Sequence, residues 1–293
     1  MIQNCRTTLA CVITEADVEL SDGRTLHYYD TREDESDSRV AVFWHHGTPN
    51  VGSPPEPLFS AAAANGLRWV SYDRPAYGGS TANPGRDIAS AAADVAAIAD
   101  ALGIDRFAVV GHSGGGAHAL ACAALRPDRV LAVVSMSATA PFDAQGLDWF
   151  AGWSRSGVAQ QRAALAGRAA LDAYLPTAEF DSDTFTPDDY AALEGGWSWL
   201  AGVAGQAMEE GDAGMIDDLL AAAREWGFTP ADITVPVFVA HGDQDRMVPS
   251  AHGEWLAAHC PTAELQLVPG AGHITVLDSA PAALEWLRER VSR

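Results

Sequence analysis

The residues best suited to chemistry are Gly111-His112-Ser113-Gly114-Gly115. A serine hydroxyl is a weak nucleophile until a base takes its proton and donors stabilise the oxyanion that its attack creates. Here Gly111-x-Ser113-x-Gly115 follows the apolar run Phe107 to Val110 and precedes the alanine-rich run Gly114 to Leu125. Between a buried strand and a helix, that pattern predicts a sharp turn that exposes the serine at the helix N-terminus. The glycines leave room where side chains would strike neighbouring backbone. Ser113 is therefore the candidate nucleophile of an acyl transfer, and a base, an orienting acid and oxyanion donors must reach it from elsewhere.

The elements that must position these groups follow a regular rhythm. From about residue 24 to residue 136, short β-branched runs alternate with helical stretches, which predicts βαβ units in an α/β fold with a mostly parallel sheet flanked by helices. Strands are expected at Arg24 to Tyr29, Val40 to Trp44, Leu67 to Tyr72, Phe107 to Val110, Val130 to Val134, Val235 to Ala240 and Leu265 to Val268. Helices are expected near Pro57 to Asn65, Asp87 to Leu102, Gly114 to Leu125 and Pro281 to Val291. Glu33 to Ser38 reads as a solvated hairpin turn.

Between Pro141 and Ala231 the strand rhythm gives way to short helical pieces, too long a stretch for a structureless loop. The reading is a core of residues 1–140 and 232–293 with a helical cap inserted at 141–231. The cap holds five of the nine tryptophans, Trp149, Trp153, Trp197, Trp199 and Trp226, along with Phe150, Phe180 and Phe185. This aromatic content predicts an apolar pocket.

Composition removes several alternatives. All 18 basic residues are arginine, so no Schiff-base lysine, Ser-Lys dyad or phosphate-loop lysine exists. The formal charge of −21 opposes nucleic acids and anionic membrane surfaces. Cys5, Cys11, Cys122 and Cys260 show neither a CxxC pair nor zinc spacing, and are expected to be reduced. Met1 to Asp17 has no basic leader before an apolar segment, and no run of about 18 apolar residues occurs, so a cytoplasmic location is expected.

Two further segments, His45-His46-Gly47-Thr48-Pro49 and Asp73-Arg74-Pro75-Ala76-Tyr77-Gly78-Gly79-Ser80, each follow an expected strand. With the serine turn, they make the chain resemble the α/β-hydrolase family from about Arg24 to the C-terminus, most of the cap excepted. The family often has glycine where Ala76 stands. The resemblance implies that the backbone N–H groups of Thr48 and Gly114 form the oxyanion hole. The family's order of serine, acid and histidine implies a late base, His273, in Pro269-Gly270-Ala271-Gly272-His273. It implies the acid in His241-Gly242-Asp243-Gln244-Asp245-Arg246-Met247-Val248-Pro249, at Asp245. Asp243, read as shaping the turn, and Asp143, after an earlier strand, are the other candidates. His46 and His112 read as loop supports, Trp44 and Tyr77 as packing residues. Arg74 is expected to pin a loop through a carboxylate whose place the sequence does not give.

The function implied is a carboxylesterase-like serine hydrolase acting on a small molecule through an acyl-enzyme, with no cofactor and no metal. From Pro141 to Ala231 the chain carries 15 acids and 4 arginines, which favours uncharged or cationic substrates. Alternatives are a proline iminopeptidase-like aminopeptidase, with Glu209-Glu210 as the amine anchor, a lactonase, a C–C bond hydrolase or a perhydrolase. A ligand receptor on the same fold is the non-enzymatic alternative.

Overall fold

The computed structural model describes residues 13–179, 181–209 and 211–291, so Cys5, Cys11, Phe180 and Glu210 lie outside the described residues. The first half runs β1 (Thr14–Glu19), β2 (Thr25–Asp30), β3 (Val40–His45), α1 (Phe59–Ala64), β4 (Leu67–Tyr72), α2 (Ala91–Ala101), β5 (Phe107–His112), α3 (Gly114–Leu125) and β6 (Val130–Met136). Five helices follow: α4 (Arg155–Ala166), α5 (Arg168–Tyr174), α6 (Pro187–Glu194), α7 (Trp199–Ala207) and α8 (Ala213–Ala222). The chain then returns to the sheet with β7 (Val237–Gly242), α9 (Ser250–His259), β8 (Ala263–Val268) and α10 (Ala280–Val291).

The strands form one eight-stranded sheet in the order β1-β2-β4-β3-β5-β6-β7-β8. β1 with β2 and β2 with β4 pair antiparallel, and every other neighbouring pair is parallel. β5 lies inside the sheet with all six residues buried. Its side chains alternate between the faces. Phe107 and Val109 pack with Val95, Ile98 and Leu120 of α2 and α3, while Ala108 and Val110 join Ala62, Leu284 and Leu287 of α1 and α10. Helices on both faces explain why this strand is apolar throughout.

Three local expectations are corrected. β1 went unanticipated because four of its six residues, Thr14, Glu15, Asp17 and Glu19, are polar, as suits a sheet edge guarded by charge. Glu33 to Ser38 is no hairpin turn, since β4 separates β2 from β3 in the sheet. α2 begins later than expected because Asp87 and Ser90 bond to each other first, Asp87 Oδ1 accepting from the Ser90 N–H at 2.8 Å. Among the described residues no helix is long and apolar enough to cross a membrane.

Candidate active site

β5 ends at His112 and α3 begins at Gly114, leaving Ser113 alone between them with φ 57° and ψ −129°. A non-glycine residue in this region is strained, and it persists because its surroundings fix it. The Ser113 N–H donates to Met136 O at 2.8 Å, and its carbonyl accepts from Gly116 N at 2.9 Å. A Cβ on Gly111 would stand 2.2 Å from Gly115 O, and one on Gly115 would stand 2.0 Å from His45 O. The turn thus holds its serine only with glycine on both sides.

The loops after β7 and β8 bring Asp245 and His273 together. His273 Nδ1–H donates to Asp245 Oδ2 at 2.8 Å, and the other oxygen accepts from Met247 N at 2.9 Å and Val248 N at 2.8 Å. Burial alone would raise the Asp245 carboxyl, but His273 and these bonds outweigh it and hold the carboxyl below its usual range. The alternatives stand elsewhere. Asp243 is exposed and accepts from Gly270 N at 2.8 Å, while Asp143 lines a surface cavity beside Trp226. His112 supports the loop of His273, its Nε2–H donating to His273 O at 2.9 Å. Burial, with His273 nearby, pushes the His112 imidazole down to about 3, which keeps it neutral.

On the other side of Ser113 lies the loop after β3. A Cβ on Gly114 would sit 2.7 Å from Thr48 Oγ1 and 3.9 Å from Thr48 N, so the two segments carrying the expected oxyanion donors run side by side. Gly47 O accepts from His46 Nδ1–H at 2.8 Å and from Arg74 Nη2 at 3.1 Å. Because a trans peptide points its C=O and N–H in opposite directions, fixing Gly47 O turns the Thr48 N–H away from Arg74. The unplaced partner of Arg74 is Asp218, on α8. Its Oδ1 accepts from Arg74 Nε at 3.1 Å and Arg86 Nη2 at 2.6 Å. Its Oδ2 accepts from Arg74 Nη2 at 2.6 Å, Tyr77 OH at 2.9 Å and Thr48 Oγ1 at 2.6 Å. Burial opposes ionisation of Asp218, yet Arg74 and Arg86 prevail and its carboxyl lies well below the usual range. Tyr77, expected to be packing alone, is part of this cluster.

A second carboxylate escaped sequence reasoning. Asp189, on α6, completes a capping box with Thr186, which its place three residues after that threonine does signal. It also accepts from the loop of His273: His273 N at 3.1 Å, Ile274 N at 3.0 Å, Thr275 N at 2.8 Å and Thr275 Oγ1 at 2.9 Å. Burial would raise its carboxyl, but these donors together bring it below the usual range.

Two cavities meet at Ser113, Thr48, Pro49 and Met247. One, of about 210 Å³, reaches beneath α4 and α8 and is lined by Trp153, Gln161, His118 and Met215 among others. The second, of about 340 Å³, contains His273 and is walled by Phe185, Leu193, Leu200 and Ile274. Of the aromatic residues expected to build an apolar pocket, Trp153 and Phe185 line these cavities, while others hold the helices in place. Trp199 packs on Trp44 with ring centroids 6.4 Å apart, Trp197 Nε1 donates to Asp278 at 2.8 Å, and Trp226 joins the core. Glu209 is exposed and lines a separate cavity beside His27 and Asp73. Among the described residues no group of three or more histidine, cysteine or acidic side chains is placed to hold a metal ion.

Comparison with known proteins agrees with this architecture. The family model for the alpha/beta hydrolase fold matches residues 40–280. A non-heme chloroperoxidase from Streptomyces lividans is 32% identical over 242 residues, spanning 80% of this chain and 83% of the relative. A 2-hydroxy-6-oxo-6-phenylhexa-2,4-dienoate hydrolase from Burkholderia cepacia is 27% identical over 262 residues, spanning 85% and 86%. Among solved structures, an esterase from Exiguobacterium antarcticum superposes with a TM-score of 0.70 at 21% identity, over 96% of this chain and all of the other. The chain is an enzyme of the α/β-hydrolase family.

Proposed function

We propose that the protein is a serine hydrolase that cleaves an ester or similar acyl bond of a small, uncharged, largely apolar molecule. The observation that carries this reading is the paired His273 and Asp245 beside Ser113, which shares a cavity with His273. In the proposed reaction His273 takes the Ser113 proton, Ser113 Oγ attacks the carbonyl carbon, and the Thr48 and Gly114 amides receive the oxyanion. The protonated His273 then gives its proton to the leaving alcohol. Water, deprotonated by the same base, releases the acid and restores Ser113. Residues 141–231 serve as the cap that closes the site.

Of the uncharged or cationic substrates that the composition of the cap suggested, the placement of its charges favours the uncharged. Among the described residues of the cap, Asp218 is the acid that lines either cavity at Ser113, and two arginines pair with it. The aminopeptidase reading draws no support from Glu209, which stands apart from both cavities. Buried, free Cys122 and Cys260 suit the proposed cytoplasmic setting.

A second reading, perhydrolysis, is favoured by the relative named a chloroperoxidase. In it hydrogen peroxide replaces water, attacks the acyl-enzyme and leaves as a peracid while Ser113 regains its proton. Replacing Ser113→Ala is expected to lower turnover of a cleaved ester on the order of a million-fold and to abolish labelling by a fluorophosphonate. Normal turnover by that variant would overturn the proposal. Peracid formation from acetate and peroxide tests the second reading.

A further inference from the structure

α4 buries two side chains, Gln161 and Ala164. An apolar residue is the ordinary choice at such a position, because a buried amide loses its bonds to water. Gln161 is only 8% exposed, lines the smaller cavity together with Ser113, and its amide makes no hydrogen bond with the described residues. Several polar groups of that cavity are already engaged, while Gln160 and Thr139, which line it without a side-chain bond among the described residues, are only partly buried. Asp218 is held by two arginines, Tyr77 and Thr48, and Thr184 Oγ1 donates to Ser154 Oγ at 3.2 Å. His118 spends its Nδ1–H on Gly114 O at 2.8 Å, which leaves its buried Nε2 an acceptor without a partner among the described residues and no donor to offer. Burial pushes that imidazole down to about 3, so it brings no charge to the cavity. Among the described residues lining this cavity, Gln161 is therefore the buried side chain that keeps both a donor and an acceptor unspent, and the one charged lining residue, Asp218, is paired with two arginines.

We propose that Gln161 determines substrate specificity: its amide pairs with an uncharged hydrogen-bonding group, a hydroxyl or carboxamide, on the substrate arm that enters the smaller cavity. The apolar arm takes the larger one, against Phe185, Leu193 and Leu200. A carboxylate or ammonium is disfavoured, because nothing in the smaller cavity is free to balance its charge. The inference rests on Ser113 as the nucleophile, since that residue joins the two chambers.

Two ester pairs test it, ethyl propionate against ethyl lactate for the acyl arm, and propyl acetate against hydroxypropyl acetate for the alcohol arm. The wild-type protein is expected to favour the hydroxylated member of one pair by about tenfold or more in kcat/KM. Gln161→Leu should bring that ratio to about one while leaving Tm close to the wild-type value, because the amide makes no bond with the described residues. A ratio near one in both pairs for the wild type, or a ratio that Gln161→Leu leaves standing, overturns the proposal. Absence of hydrolysis of all four esters would count against the serine-hydrolase reading instead. The preference is then read from the affinity of the Ser113→Ala protein for the same esters, by the fluorescence of Trp153 in the cavity wall, with the same expected and overturning ratios.

Discussion

Asp189 and Asp218 belong to different helices of the segment between β6 and β7, both are buried, and each grips one of the loops beside Ser113. Asp218 is compensated by charge, with the Arg74 and Arg86 guanidiniums on its two oxygens. Asp189 is compensated by dipoles, accepting from backbone N–H groups and the Thr275 hydroxyl. The difference polarises the site. Around the oxyanion loop, two arginines and one aspartate leave a formal excess of positive charge. Around the base, Asp189 and Asp245 leave an excess of negative charge. Acyl transfer by the proposed route develops negative charge on the substrate oxygen and positive charge on His273, the same sense as this built-in asymmetry. The segment between β6 and β7 therefore contributes fixed negative charge beside His273 as well as walls, while the positive excess beside Thr48 comes from Arg74 and Arg86.

The largest effect should come from breaking the charged grip. Asp218→Asn leaves two guanidiniums buried with no counter-charge, and removing one partner of such a cluster costs about 3–5 kcal/mol. Urea unfolding measures that loss, and ester turnover should fall with it. A variant within about 1 kcal/mol of wild type would mean that charge pairing does not hold this loop.

Asp189→Asn should cost less, about 1–3 kcal/mol, because one acceptor oxygen survives while the amide NH₂ faces donors. Acidity separates the two carboxylates further. Each has a folded-state pKa below its unfolded one, so each contribution is complete above the ordinary carboxylate value of about 4 and is lost as pH falls through the depressed value. Asp218 lies well below that value and Asp189 less far, so Asp189 should be protonated first on acidification. The stability gap between wild type and Asp189→Asn is accordingly expected to close at a higher pH than the gap for Asp218→Asn, as measured by unfolding at a series of acid pH values. The reverse order would break the comparison.

The parts of the site differ in how legible they were. Ser113 was readable because its signal is local, an apolar run, two glycines and a helix within about a dozen residues. The loops of His273 and Asp245 were implied by the family resemblance, through its order of serine, acid and histidine and the segment around Asp245. Asp189 and Asp218 carry no local signal of their contacts with the loops, although the capping box of Asp189 is itself local. Asp218 meets Arg74 across 144 positions, and Asp189 meets His273 across 84, so their partners exist only once the chain has folded. Gln161 was hidden differently. α4 is polar over much of its length, so its inward face could not be read from apolar periodicity. The strands inside the sheet were legible from continuous apolar runs, whereas acidic β1 resembled solvated loop.

The smallest effect isolates the last link between the charged cluster and the oxyanion donor. Thr48 offers two groups with separate tasks, its N–H as the proposed oxyanion donor and its hydroxyl as a bond to Asp218 Oδ2 at 2.6 Å. Thr48→Val keeps the branched shape and the N–H but deletes the hydroxyl bond. Arg74, Arg86 and Tyr77 still satisfy Asp218, so the cost in stability should stay within about 1 kcal/mol. Turnover should fall about tenfold through kcat with KM little changed, since a misdirected N–H weakens the transition state more than the ground state. Thr48→Ser, which restores the hydroxyl without the methyl, should recover most of that loss. An unchanged kcat in Thr48→Val would show that Arg74 and His46, through Gly47 O, are enough to aim the donor.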